Sequence, residues 1–251
     1  MHKNVAVIIL AAGLGTRMKS DKAKVLHTVL GKPMISYVTE AAAKVAGNEV
    51  IIVIGHQAEK VSEIVLKTED VKFAYQDKQL GTGHAVMCAM PHLSETIEKV
   101  VILCGDVPLL SFKTISELVD THEENSNDIT VLVINLEKPT GYGRIITDER
   151  GNVEKIVEEA DASDAEKRIT TVNSGVYCVD RGYLVTSLGL IKSDNAQGEL
   201  YLTDIIGMVD SSARKAGMVL CPNANELVGV NSVADLKNVE NIMLRKQGKI
   251  S

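Results

Sequence analysis

Short apolar runs punctuate the chain, each closed by glycine or a polar turn: Val5–Leu10, Glu49–Ile54, Val71–Tyr75, Lys99–Cys104 and Ile129–Asn135. They show little alternation of apolar and polar positions, the pattern of strands buried on both faces. Helical stretches lie between them. One is introduced by Gly31-Lys32-Pro33 and stopped near Ala46 by Gly47-Asn48, with proline in the first turn and glycine just past the end. Others run from about Ala58 to Leu66, from a cap at Thr82 or Gly83 to about Met90, and from Phe112 to about Glu124. Strands alternating with helices predict a mostly parallel, doubly wound α/β sheet with helices on both faces.

The texture changes near Leu136. Ile145–Thr147 and Val153–Glu158 flank Asp148-Glu149-Arg150-Gly151 and read as a hairpin, and Thr170–Val179 reads as a further strand. The expected organisation is one domain over residues 1–231, to which 136–180 contribute an inserted lobe that closes on a second substrate. A helix from about Thr203, strands at Met218–Cys221 and Glu226–Val230, and a C-terminal helix over 232–251 capped by Ser232 complete the prediction.

A net charge of −6 argues against a nucleic-acid surface, which needs excess cations. No apolar run approaches the ~20 residues of a membrane span. Val5–Ala12 leads straight into a glycine-rich turn and basic residues, so it reads as a buried first strand rather than a leader. Cys88, Cys104, Cys178 and Cys221 form no CxxC pair and read as reduced core thiols, which makes the cytoplasm the expected compartment.

Against this acidic background one basic cluster stands out. Ala11-Ala12-Gly13-Leu14-Gly15 follows the first strand, and Thr16, Arg17, Lys19, Lys22 and Lys24 follow the turn. A small-residue turn exposes backbone N–H groups to an anion, and the cations read as a polyphosphate clamp; the plain alternative is a solvated basic loop. Met18 occupies the third small-residue position of a dinucleotide fingerprint, and no GK[ST] follows, so neither a dehydrogenase nor a Walker loop is indicated. Gln76 and Gln79, with Gly81 and Gly83, lie past the third strand, and their amides suit a nucleobase edge as well as a polar loop. Asp106, after a strand and Gly105, can hold Mg²⁺, cap a helix or simply occupy a turn. Asn231, also after a strand and a glycine, can supply a second oxygen or a cap. The histidines are scattered, and no Ser-His-Asp, Cys-His or HExxH set occurs. Transfer to a phosphate nucleophile needs none, since alignment and charge neutralisation suffice.

LAAGLGTRMKSDKAKVLHTVLGKPM, QLGTGHA, CGDVPLL, PTGYGRI, VNSGVY, NAQGELYLTDI and GVNS occur in that order. Together they resemble the nucleotidyltransferase half of bacterial N-acetylglucosamine-1-phosphate uridyltransferases, usually bifunctional with a C-terminal acetyltransferase. The resemblance runs from Val5 to about Leu236. It implies a Rossmann-like sheet of the nucleotide-diphospho-sugar transferase type with an inserted sugar-binding β lobe. It also implies formation of UDP-N-acetylglucosamine and pyrophosphate from UTP and N-acetylglucosamine 1-phosphate with Mg²⁺. By that resemblance Leu10, Ala11, Ala12, Gly13, Gln76, Gly81, Thr82 and Gly105 bind the nucleotide. Arg17 meets the outgoing pyrophosphate, Lys24 neutralises the reacting phosphates, and Asp106 and Asn231 hold Mg²⁺. Gly143, Glu158 and Asn173 hold the sugar.

The chain departs from the family pattern at Ala23, where proline is usual; at Ala160, where lysine is usual; and near Val233, where an arginine is usual. The acetyltransferase hexapeptide repeat is not among these residues, so the trimer it builds is not assumed. The rival expectations are a UDP-glucose- or dTDP-glucose-forming relative, or a regulator that binds a nucleotide sugar without turnover.

Overall fold

The computed structural model describes residues 2–18, 20–209 and 214–250. Its first half comprises β1 (Val5–Leu10), the short pair β2 (Thr28–Val29) and β3 (Lys32–Pro33), α1 (Met34–Ala46), β4 (Val50–Ile54), α2 (Ala58–Val65), β5 (Lys72–Tyr75), α3 (Thr82–Ala89) and β6 (Lys99–Cys104). The second half comprises α4 (Phe112–Glu124), β7 (Ile129–Asn135), β8 (Arg144–Thr147), β9 (Val153–Val157), β10 (Thr171–Asp180), α5 (Arg181–Leu188), β11 (Ala216–Leu220) and α6 (Val233–Lys246).

The main sheet runs β11-β7-β10-β6-β1-β4-β5, with β8 and β9 extending from β10. β1 pairs parallel with β4 and β6, β4 with β5, and β7 with β11; β10 runs antiparallel to β6 and β7. Successive side chains on the parallel strands go to opposite faces. Val5, Val7, Ile9, Val50, Ile52, Ile54, Val101 and Leu103 share one core with α1, α2 and α4. Ala6, Ile8, Ile51, Val53, Val100 and Ile102 share the other with α3, α5 and the Leu202–Met208 turn. Both faces are covered, which is why these strands read as continuous apolar runs.

The helices follow the same logic. On α1, Met34, Ile35, Val38, Ala41, Ala42 and Val45 are buried, a single stripe, and Gly47 closes the helix at φ +63° with its N–H on the Ala43 carbonyl. Ser111 caps α4, and Ser232 with Asp235 forms a capping box on α6.

Four local expectations are corrected. The helix from Thr203 is a 3₁₀ turn, Leu202–Met208. Glu226–Val230 is no strand: a 3₁₀ turn covers Ala224–Leu227, and Val230 N–H goes to the Asp106 carbonyl instead of a ladder. Gly81, at φ +114°, is the residue preceding α3, while the Thr82 hydroxyl accepts from Leu202 N–H. α5 was not foreseen. Among the described residues no helix is long and apolar enough to cross a membrane.

β10 pairs with β7 between Thr171 and Val179 and with β6 from Tyr177 to Asp180, and it carries β8 at Val172. Beneath this junction Arg144 is 2% exposed, with its guanidinium on the Tyr142 and Lys167 carbonyls and 2.7 Å from Glu159 Oε2. Its removal leaves carbonyls unpaired and a hole behind. Arg144→Ala is therefore expected to cost about 2–4 kcal/mol in denaturant unfolding, and Glu159→Gln much less, because Glu159 is partly solvated.

Candidate active site

In the strand order the chain leaves β1 toward β4 and β5, then returns to place β6 on the other side. The crevice between the carboxyl ends of β1 and β6 is thus a topological switch point, where open α/β sheets bind ligands. Gly105 N–H donates to the Leu10 carbonyl at 2.9 Å and joins the two strand ends.

β1 empties into the Ala11–Gly15 turn. Gly15 has φ +64°, and a Cβ there would lie 2.6 Å from Lys24 Cβ, so only glycine lets the Lys24 segment fold over the turn. Val25 and Leu26 are buried beneath that segment, while the Lys24 side chain lines the cleft. Arg17 lies exposed at the rim. Lys19 lies outside the described residues.

Two loops meet Lys24. Asp106 follows β6, and its backbone carbonyl accepts from Val230 N–H at 2.9 Å, which docks the segment before α6. Asp235 Oδ2 accepts from the N–H groups of Asn231 and Ser232 at 3.0 and 2.8 Å, leaving the Asn231 side chain to meet Lys24 and Arg17. Lys24 Nζ donates to Asp106 Oδ2 at 2.5 Å and to Asn231 Oδ1 at 3.1 Å, and Arg17 donates to Asn231 Oδ1 at 3.0 Å. Ser111 and Ser232 serve as the helix caps, so the capping alternatives for Asp106 and Asn231 fall away. One ammonium reaches both oxygens, so one small cation can do the same. A carboxylate and an amide oxygen suit Mg²⁺, which keeps waters and borrows phosphate oxygens. No cluster of three His, Cys, Asp or Glu for a self-contained metal site occurs among the described residues.

The cleft has a volume of about 440 Å³ and is lined by the Leu10–Gly15 turn, Lys24, Gln76, Gln79, Gly81, Thr82, Cys104, Asp106 and Glu199. Gln76 is 4% exposed, and its Nε2 donates to the Gly81 carbonyl and meets His84 Nδ1, at 3.1 and 3.0 Å. With both amide hydrogens engaged, Oε1 is the atom left for a ligand. A Cβ on Gly81 would fall 2.6 Å from the Leu200 carbonyl, so the loop closes only with glycine there. Cys104 lies on the cleft rather than wholly in the core. Burial first, then Asp106, pushes its thiol up to about 12, so it stays protonated and unreactive.

Gly143, Glu158 and Asn173 come together beyond Cys104. Asn173 N–H donates to the Gly143 carbonyl at 2.9 Å, and a Cβ on Gly143 would sit 3.3 Å from Glu158 Oε2. The Cys104 thiol approaches the Gly175 carbonyl at 3.7 Å, linking this group to the cleft. Thr203, which sequence reading did not single out, donates to Glu158 Oε1 at 3.0 Å. It lies within NAQGELYLTDI, as does Glu199, so the motif is the signal that carries both. Ala160 is exposed, between Glu159 and Asp161.

Burial raises the Glu158 carboxyl, and Asp161, Asp204 and Glu199 raise it further against the Thr203 hydrogen bond. A carboxyl raised on folding stabilises the protein when protonated, and that contribution is lost as pH rises through the raised value. Glu158→Gln is therefore expected to unfold at a higher temperature than the parent at neutral pH. The difference should close as pH falls below the ordinary glutamate value of 4.5. Parallel melting curves across pH check this; a pH-independent difference contradicts it.

A switch-point cleft with cations, a carboxylate and a glycine turn marks a nucleotide-handling transferase. Residues 6–222 match the nucleotidyl transferase family, and the chain belongs to it. Among its relatives is Bifunctional protein GlmU of Caldanaerobacter subterraneus subsp. tengcongensis, 50% identical over 240 residues, covering 95% of this chain and 51% of that protein. Bifunctional protein GlmU of Desulfotalea psychrophila is 45% identical over 247 residues, covering 98% of this chain and 73% of that protein. The chain thus spans about half of the first relative and about three quarters of the second. The crystal structure of HddC from Yersinia pseudotuberculosis superposes with a TM-score of 0.69 at 18% identity, over 95% of this chain and 99% of that one, and shows the shared fold.

Proposed function

We propose that this chain transfers a uridylyl group from UTP to N-acetylglucosamine 1-phosphate, forming UDP-N-acetylglucosamine and releasing pyrophosphate in the cytoplasm. The observation that carries the reading is the meeting of Lys24, Arg17, Asp106 and Asn231 at the mouth of the cleft. Relatives named Bifunctional protein GlmU at 50% and 45% identity support it.

In this reading a phosphate oxygen of the sugar phosphate forms a bond to the α-phosphorus of UTP. The bond from that phosphorus to the bridging oxygen breaks, and pyrophosphate departs with its electron pair. The nucleophile is already ionised, so no protein base is needed. Lys24 neutralises the reacting phosphate, and Arg17 takes charge from the departing pyrophosphate. The Leu10–Gly13 backbone, Gly105, Gly81 and Thr82 hold ribose and base. Gln76 Oε1 accepts from uracil N3–H, a donor that cytosine lacks. Gly143, Glu158 and Asn173 hold the sugar. Asp106 and Asn231 would hold Mg²⁺, which when bound supplies further neutralisation of phosphate oxygens.

A panel of nucleoside triphosphates crossed with sugar 1-phosphates, scored by pyrophosphate release, tests the proposal. UTP with N-acetylglucosamine 1-phosphate is expected to be fastest, and CTP slower by about tenfold or more for a missing hydrogen bond at a buried amide. A faster rate with glucose 1-phosphate or dTTP overturns the substrate assignment. Binding of UDP-N-acetylglucosamine without any turnover overturns the reaction.

A further inference from the structure

Gln57 stands at the entrance to α2 in left-handed backbone, φ +54° and ψ +38°, a conformation that disfavours residues bearing a Cβ. Its backbone carbonyl starts the helix, accepting from the N–H groups of Lys60 and Val61 at 3.0 and 3.1 Å. Glycine would serve that purpose equally well and without the conformational cost. The side chain is engaged elsewhere. Gln57 Nε2 donates to the Asp21 carbonyl at 2.7 Å, and Gln57 Oε1 accepts from Ala23 N–H at 3.1 Å. The His56 ring lies 3.3 Å from the same Asp21 carbonyl. One planar amide therefore grips two peptide groups immediately before Lys24.

Ala23 makes this grip possible. It is 1% exposed, so its N–H depends on Gln57 for a partner, and its φ of −52° lies in the range a proline ring would impose. Proline has no N–H to donate, so here a hydrogen bond from a neighbouring element holds what a ring would fix covalently. Gly15 lies close against the Lys24 stem, where a Cβ would fall 2.6 Å from Lys24 Cβ.

We infer that Gln57 is a positioning residue: its side-chain amide clamps the peptide segment 21–23 and thereby sets the direction of Lys24. The inference rests on the role given to Lys24 under the proposed function. Base and ribose contacts lie on other segments, so the clamp acts on turnover and not on nucleotide capture.

Gln57→Gly removes the amide and relieves the left-handed backbone, so the fold should be kept. Hydrogen exchange at the Ala23 amide, read by nitrogen-15 NMR, reports the clamp without reference to activity. Protection in the parent and loss of it in Gln57→Gly are expected. The turnover number should fall about tenfold to a hundredfold, the cost of a misplaced catalytic group, while KM for UTP moves less than about threefold. Adding Ala23→Pro to Gln57→Gly should restore most of the lost turnover by fixing φ covalently. Unchanged protection at Ala23 overturns the clamp. Lost protection with unchanged turnover overturns the positioning role. So does a loss of turnover that tracks a lower unfolding temperature and is not recovered by Ala23→Pro. If the parent turns over no pair in the substrate panel, the proposed function and the positioning role fall together. The exchange result still decides the clamp.

Discussion

Lys24→Ala is expected to lower turnover by about a hundredfold or more, the scale of one lost charge contact to a transition state in a partly dry site. Lys24 Nζ reaches both Asp106 and Asn231, and its side chain is 18% exposed, so its charge is only lightly screened by water. Arg17, bonded to Asn231, lies at the exposed rim and is not placed to substitute. Because Val25 and Leu26 anchor the segment from below, truncating Lys24 should spare the fold. Lys24→Arg should recover little, since a planar fork does not reproduce a compact ammonium held between Asp106 and Asn231. Steady-state kinetics with saturating UTP checks this. A rate within about threefold of the parent removes Lys24 from the chemistry, since such a change is under 1 kcal/mol of barrier.

Asp106→Asn should have an effect of similar or larger size, about 10²–10³ in turnover, and should change how activity depends on Mg²⁺. The substitution keeps shape and leaves the backbone bond from Val230 N–H to the Asp106 carbonyl intact. What it removes is the negative charge that sets Lys24 and would attract the cation. With two neutral amide oxygens left, a hard divalent ion loses its strongest protein donor. A titration of activity against Mg²⁺ in parent and variant separates the cases. A parent-like curve at full rate places the cation elsewhere.

Much of the fold was readable because its strands are buried on both faces. Val50–Ile54 and Lys99–Cys104 could hardly be anything but central strands once glycine closed them. Glu226–Val230 has the same apolar look, but the N–H groups of Glu226 and Val228 serve local turns and that of Val230 serves Asp106, so no ladder forms with a described strand. α5 escaped because it is only eight residues long and opens with Arg-Gly, and the burial of Tyr183, Leu184 and Leu188 comes from tertiary packing. The phosphate-facing residues were legible for a topological reason: glycine turns and a lone aspartate after apolar strands fall at one end of a parallel sheet. Gln57 was not legible. Its contact with Ala23 spans 34 residues and needs a backbone conformation that sequence does not favour for glutamine. Arg144 stands just before the strand predicted at Ile145–Thr147, and its burial depends on a lobe whose packing no local pattern reports.

The central claim is that Lys24, Arg17, Asp106 and Asn231 face one bound triphosphate. A crystal structure with UTP and Mg²⁺ tests it most directly. The account expects Lys24 against the phosphates, with Asp106 and Asn231 sharing one ion beside them. A triphosphate bound elsewhere, or bound here with Lys24 and Asp106 turned away from it, contradicts the account.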